Sequence, residues 1–333
     1  MSQTYSPAHL RDFVADIFMR CNTSEANARS VATALVEAEL AGQSGHGLRR
    51  VESYAAQARS GKVDGHATPV LNRTVPGTLN VDVASGFAYP ALDAALEQFP
   101  GMAKEQGIAA AGFHNSHHCG VAGVIVEKLA REGLVALLFA NTPAAMAPWS
   151  GSQATFGTNP IAFAAPRSNG DAVVVDVSLS KVARGKLMAA KQKGEPIPEG
   201  WALGPDGEPT TDAATGLAGT MVPLGDAKGT ALALMVEILA ACLTGANTAA
   251  NATSFFEAEG ESPGVGQFLI AIDPDRIGGP GAADRIATLA ASIEAQEGAR
   301  VPGSRRSALR LDMEANGIAV DDDLYATLDA IGR

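Results

Sequence analysis

The sequence predicts an α/β or α+β protein whose sheet has mixed strand directions, and three observations carry that expectation. Strand-like and helix-like periodicities alternate between residues 79 and 140. After residue 140 the connections lengthen and fill with glycine and proline, which does not suit the short crossovers of a clean parallel sheet. Neither a GxGxxG after an early strand nor a GxxxxGK[ST] is present, so the standard nucleotide-binding fingerprints are missing.

Ser6 and Pro7 supply an N-cap and a proline at the first helical position, and Leu10, Phe13, Val14, Ile17 and Phe18 follow at the spacing of one buried face. A second helix begins near Ser24, carries Val31, Leu35 and Ala38, and stops at Gly42. The glycine-bearing turn 42–47 leads into a third helix over about 49–58, where Arg50 and Tyr54 are four apart and share a face. Leu79, Val81 and Val83 alternate as a half-buried strand. A helix is expected from about Pro90 to Gln98, resuming after Pro100 to Gln106, and Gly107 ends it. A strand at 108–113, a helix at 121–131 and strands at 134–140 and 172–177 follow. Residues 191–227 show little periodicity, as expected of a stretch ordered around a site or mobile over one. A helix over 229–243, a strand at 267–273 and a last helix at about 280–295 precede a basic-tinged tail.

With 333 residues the chain has room for about two domains. A net charge of −11 disfavours phosphate backbones and anionic membranes as partners. Three cysteines in unrelated contexts, Cys21, Cys119 and Cys242, fit neither a disulfide framework nor a zinc cluster. The start of the chain lacks a basic region leading into an apolar run, so a cytoplasmic protein is expected.

Chemistry concentrates in four places. The segment His114-Asn115-Ser116-His117-His118-Cys119-Gly120 joins a strand end to a helix start, where α/β proteins bind ligands. A metal site there lacks an HExxH or a third carboxylate ligand, and a purely structural turn is the remaining alternative. His46 lies between Gly45 and Gly47, with Arg50 one turn on. An imidazole suits proton transfer and a guanidinium suits a carboxylate, although a surface turn accounts for the same residues. Asp176 ends an apolar strand, where it either tunes a catalytic histidine or caps the next turn. Lys228-Gly229 opens a long helix after a glycine turn, a setting that suits an anion.

These pieces together resemble the type 2 malate/L-lactate dehydrogenase family. The match runs in family order through 42–54, Asn115-Ser116-His117-His118-Cys119-Gly120, Gly157-Thr158-Asn159-Pro160-Ile161, Val182-Ala183-Arg184-Gly185-Lys186, 194–201, Thr210-Thr211-Asp212, Lys228-Gly229 and Leu243-Thr244-Gly245. The resemblance implies a non-Rossmann, mixed-sheet NAD(P)-binding fold of the L-sulfolactate dehydrogenase-like type. It implies one domain from residues 1–75 and 280–333, a cofactor domain from 76–279, and a homodimer with its active site near the interface. His46 matches the catalytic histidine, Asp176 the aspartate that assists it, and Arg50 the substrate-carboxylate arginine, with Tyr54 and Thr158 expected beside the substrate. Cofactor contacts are expected from His118, Gly120, Thr158, Asn159, Ser178, Ser180, Lys181, Arg184, Lys228 and Gly229, and no metal is expected.

The implied reaction moves a hydride between NAD(P) and C2 of a small 2-hydroxy/2-oxo acid, with His46 passing the proton and Asp176 holding it in one tautomer, directly or through water. Reduction of a cyclic imino acid is the alternative. Lys181 and Arg184 are cationic and either suits a 2′-phosphate, although solvated ends beside the 191–194 loop account for them equally; a slight NADPH preference is expected. The family usually has serine where this chain has Gly45, glycine where it has Asp226, and glutamate where it has Ser304. The Gly45 change enlarges the space beside His46.

Overall fold

The computed structural model describes residues 2–333. Ser6 accepts from the His9 N–H and opens helix Pro7–Arg20, and Ser24 does the same for helix Glu25–Leu40. Their apolar stripes, with Leu10, Ile17, Phe18 and Leu35 fully buried, meet Tyr54 and Ala58 of helix Val51–Ser60. That core also takes in Ile318, Val320 and Leu328 from the far end of the chain. There the tail carries more structure than its composition predicts: helix Ser304–Asn316, strand Ile318–Asp321 and helix Asp322–Asp329. The strand pairs antiparallel with Ser2–Tyr5, so neither strand has a partner until the two ends of the chain meet.

The sheet of mixed strand direction is present, with seven strands. Its order is Val70–Val75, Thr78–Asp82, Ile108–Ser116, Val265–Ile272, Val135–Ala140, Ile161–Ala165, Val173–Val177. Only Thr78–Asp82 and Ile108–Ser116 pair in parallel. Along the central strand Val265–Ile272, Leu269 and Ala271 belong to one core, with helices Ala88–Gln106 and Ala122–Arg131, while Phe268 and Ile270 pack on the opposite layer. This period of two explains why an apolar strand buried on both faces forms here.

One expectation needs correction. Helix Ala88–Gln106 runs through Pro100 without a break, because Phe99, Met102 and Ala103 continue the buried face of Ala91, Leu92 and Ala95 and outweigh one missing hydrogen bond. Of the two alternatives for the weakly periodic stretch 191–227, the structure has the ordered one. The stretch follows from helix Arg184–Lys193 and contains helix Ala213–Ala218 and a three-stranded sheet of Thr220–Met221, Ala202–Leu203 and Pro209–Thr210. Helix Ala227–Glu237 passes into a π turn, Ile238–Cys242. Among the described residues no helix is long and apolar enough to cross a membrane.

Candidate active site

Strand Ile108–Ser116 delivers His117 and His118 to the seam between the N-terminal helices and the sheet. The Ser116 hydroxyl donates to Gln267 Oε1 at 2.7 Å, and Gln267 Nε2 donates to the His117 carbonyl at 3.1 Å, which pins the segment to the central strand. Gly120 follows with φ +69°, and a Cβ there would lie 2.7 Å from Tyr89 Oη, so only glycine fits beside that phenol.

His46 arrives on the turn Ser44–His46, and the next turn is held by Glu39, whose Oε1 accepts the Leu48 N–H at 2.8 Å. The His46 ring stacks on His118 with centroids 5.1 Å apart. Arg50 donates from Nε to the Gly45 carbonyl at 2.9 Å, and its guanidinium lies 4.5 Å from the Phe256 ring centre. Tyr54, fully buried, is hydrogen-bonded to His118 Nδ1 at 2.5 Å and lies 3.4 Å from the Tyr89 hydroxyl. His117 donates from Nε2 to Gln57 Oε1 at 2.8 Å.

Burial and the Arg50 charge both disfavour protonation of these rings. His46 is pushed down to about 4, and His117 to about 3 with Lys62 adding to the effect. Burial holds His118 well below the usual histidine range and pushes Tyr54 up to about 12. The site therefore holds neutral imidazoles around a cationic guanidinium. His46 Nδ1, Arg50 Nη1 and His117 Nδ1 are buried without a protein partner.

The remaining expected residues form a second set. The Thr158 carbonyl accepts from Leu179, and the Leu179 carbonyl accepts from Leu224, each at 2.8 Å, which joins the three loops that carry Thr158, Ser178 and Lys228. Buried Asn159 donates to Glu237 Oε2 at 2.8 Å, and Glu237 also accepts from Asn141 and from the Ala249 N–H. The Ser178 and Ser180 hydroxyls are 3.2 Å apart, and Ser180 donates to the Val182 carbonyl. Arg184 reaches the Leu217 carbonyl. Lys181 and Lys228 extend into solvent. Gly229 is required where it stands, since a Cβ would fall 2.1 Å from the Leu224 carbonyl oxygen. Among the described residues, no hydrogen bond, ion pair or ring contact joins this set to His46 or Arg50.

Among the described residues Asp176 makes no direct hydrogen bond or ion pair to His46. Its Oδ2 accepts the Gly123 N–H at 2.8 Å, at the start of helix Ala122–Arg131, and faces Arg306 at 3.7 Å. A carboxylate at a helix start is favoured by the N–H groups there, which accounts for this charge at the end of an apolar strand. His114 lies 3.9 Å from Asp82, and no three His, Cys, Asp or Glu side chains among the described residues are grouped to hold a metal. Sequence reasoning missed Phe255, Phe256, Gln57, Lys62 and Glu237. Only Glu237 carried a signal, as an acidic residue inside a long apolar helix.

Residues 5–329 match the family model of malate/L-lactate dehydrogenase. The chain is 52% identical over 283 residues to a (2R)-3-sulfolactate dehydrogenase (NADP(+)) of Chromohalobacter salexigens, covering 85% of this chain and 84% of that one. It is 38% identical over 330 residues to a Δ1-pyrroline-2-carboxylate reductase of Ancylobacter novellus, covering 98% and 97%. The crystal structure of Δ1-piperideine-2-carboxylate reductase from Pseudomonas syringae pvar. tomato superposes with a TM-score of 0.93 at 36% identity, covering 99% of each chain.

Proposed function

This chain belongs to the malate/L-lactate dehydrogenase family and is an NAD(P)-dependent dehydrogenase/reductase, and we propose that it interconverts a small 2-hydroxy acid and its 2-oxo acid. The observation that carries this reading is the pair of buried, unpartnered nitrogens, Arg50 Nη1 and His46 Nδ1. A desolvated donor without a partner costs roughly 1–3 kcal/mol, more when charged, so the site is built to be completed by a ligand. A 2-oxo acid completes it with a carboxylate at Arg50 and an oxygen at His46.

The chain also fits the nicotinamide cofactor. Helix Ala227–Glu237 starts without a side-chain cap and places exposed Lys228 in its first turn, a combination that suits phosphate. The cofactor, when bound, supplies or accepts the hydride at C2. His46 gives a proton to the oxygen that becomes negative during reduction and takes it back during oxidation. The Arg50 charge is one of two causes that hold His46 low, so a carboxylate bound to Arg50 offsets it and raises the ring's affinity for that proton. Substrate binding and charging of the acid are thereby linked.

Similarity to the (2R)-3-sulfolactate dehydrogenase (NADP(+)), together with exposed Lys181 and Lys228, supports a preference for NADPH and makes 3-sulfopyruvate the first oxo acid to try. The relatives named for cyclic imines support a second reading, as does the open space at Gly45, where a Cβ would meet no atom within 4 Å. A rate assay with 3-sulfopyruvate, oxaloacetate, pyruvate, Δ1-pyrroline-2-carboxylate and Δ1-piperideine-2-carboxylate, each with NADPH and NADH, separates them. An oxo acid is expected to give the highest kcat/KM. Imines ahead by about a hundredfold, roughly 2.7 kcal/mol of transition-state discrimination, would overturn the leading reading.

The exposed apolar side chains Leu234, Ile238 and Leu243, on and just beyond the helix that carries Lys228, support a homodimer. The net charge of −11 supports a protein without nucleic-acid or membrane partners. For the division into 1–75 plus 280–333 and 76–279, we place the cut before Val70, because Val70–Val75 pairs with Thr78–Asp82 across residue 75.

A further inference from the structure

Arg50 immediately precedes helix Val51–Ser60, and the other end of that helix is tied to one irregular segment, 254–258. Lys62, just beyond the helix, is 3% exposed, and its ammonium donates to the carbonyls of Ser254 at 2.8 Å and Glu257 at 3.0 Å. Gln57 Nε2 donates to the Glu257 carbonyl at 2.9 Å, and the Ser60 hydroxyl donates to the Ala258 carbonyl at 2.5 Å. Lysine is almost never buried this deeply, because its ammonium gives up hydration that only charge-assisted hydrogen bonds offset. Here those bonds all go to backbone carbonyls of a segment with no helix or strand of its own.

The tethers place two aromatic rings. Phe255 packs against His117 and His118, with ring centres 5.2 and 5.1 Å away. Phe256 lies under the Arg50 guanidinium and remains 50% exposed. A ring against one face of a planar guanidinium blocks approach from that face and leaves the edge, where a carboxylate meets parallel N–H donors. One helix thus sets both Arg50 and the surface that limits how Arg50 is approached.

We propose that residues 254–258 form a specificity-determining wall of the substrate pocket, with Phe256 orienting the substrate carboxylate on Arg50 and Lys62 as the positioning residue that holds the wall in place. The proposal rests on the reading of Arg50 as the carboxylate receptor. It assigns Lys62 to substrate affinity and leaves the proton and hydride steps to other groups.

The test compares Lys62→Met, Phe256→Leu and Arg50→Gln in the full-length protein. KM and kcat are measured with the best 2-oxo acid of the panel at saturating NADPH, alongside affinity for oxamate, a non-reacting 2-oxo analogue, affinity for NADPH, and melting temperature. Lys62→Met and Phe256→Leu are each expected to raise KM and weaken oxamate about tenfold, with kcat within about threefold, the pattern of lost binding shared by ground and transition states. NADPH affinity stays unchanged. If Lys62→Met only lowers the melting temperature while KM and oxamate affinity hold, Lys62 is structural and the proposal is overturned. If Lys62→Met does not fold, Phe256→Leu decides alone, and an unchanged KM there overturns it. Arg50→Gln separates the two ideas: an unchanged KM in that variant defeats the carboxylate-receptor reading itself.

Discussion

The His46 set and the Lys228 set lie in opposite electrostatic environments. Tyr54, His117 and His118 are buried and His46 is half-buried, and burial moves every one of them away from its ordinary pKa. Lys181 and Lys228 extend into water, and the loops beneath them are held by backbone bonds and by buried Glu237. Two unit charges 4 Å apart interact by roughly 1 kcal/mol in water and roughly 4 kcal/mol at an effective dielectric of 20. The buried set can therefore switch a proton when one carboxylate arrives. The exposed set can attract phosphate at distance yet adds little selectivity from any single charge. On the function proposed above, bond making belongs in the first environment and cofactor capture in the second.

The largest effect is expected of His46→Ala. Turnover is expected to fall about 10²- to 10⁴-fold at saturating cofactor, with NADPH affinity preserved. Equal loss of cofactor binding would show that the two sets act as one. A smaller effect is expected at the exposed pole. Lys228→Ala should weaken NADPH roughly three- to tenfold at low salt with kcat intact, and the difference should shrink at high ionic strength, where exposed charges are screened. A titration at 20 and 500 mM salt checks it, and a salt-independent effect would place Lys228 among the buried groups.

The smallest effect is on stability. His46 and His117 have folded-state pKa values of about 4 and about 3, below the ordinary histidine value of 6.5. A histidine held neutral by folding contributes fully above its unfolded pKa, and that contribution is lost as pH falls from 6.5 towards the folded value. The melting temperature should therefore drop by several degrees between pH 7.5 and 5. His117→Gln, lacking this titration, should show a shallower drop in differential scanning calorimetry; an equal slope would assign the loss to other groups.

Local chemistry in the chain was enough to place much of this molecule. Ser6-Pro7 and Ser24 start helices wherever they stand, because an N-cap acts within one turn. The four-residue step from Arg50 to Tyr54 set both at the His46–His118 seam, and the alternating apolar runs became strands. The family pattern identified His46 and His118 together, and they stack. Tertiary structure decided what depends on distant partners. Ser2–Tyr5 becomes a strand only when Ile318–Asp321 lies beside it, and Pro100 stays helical only because a core continues past it. Asp176 meets Gly123 and Arg306, a choice made by how a strand, a helix start and a C-terminal helix converge. Lys62 and Phe256 are 194 residues apart in the chain and carry no local motif. Side-chain propensity acts over a few residues, whereas the price of burying an ammonium or aiming a guanidinium is set by whichever chain segments the fold packs around it.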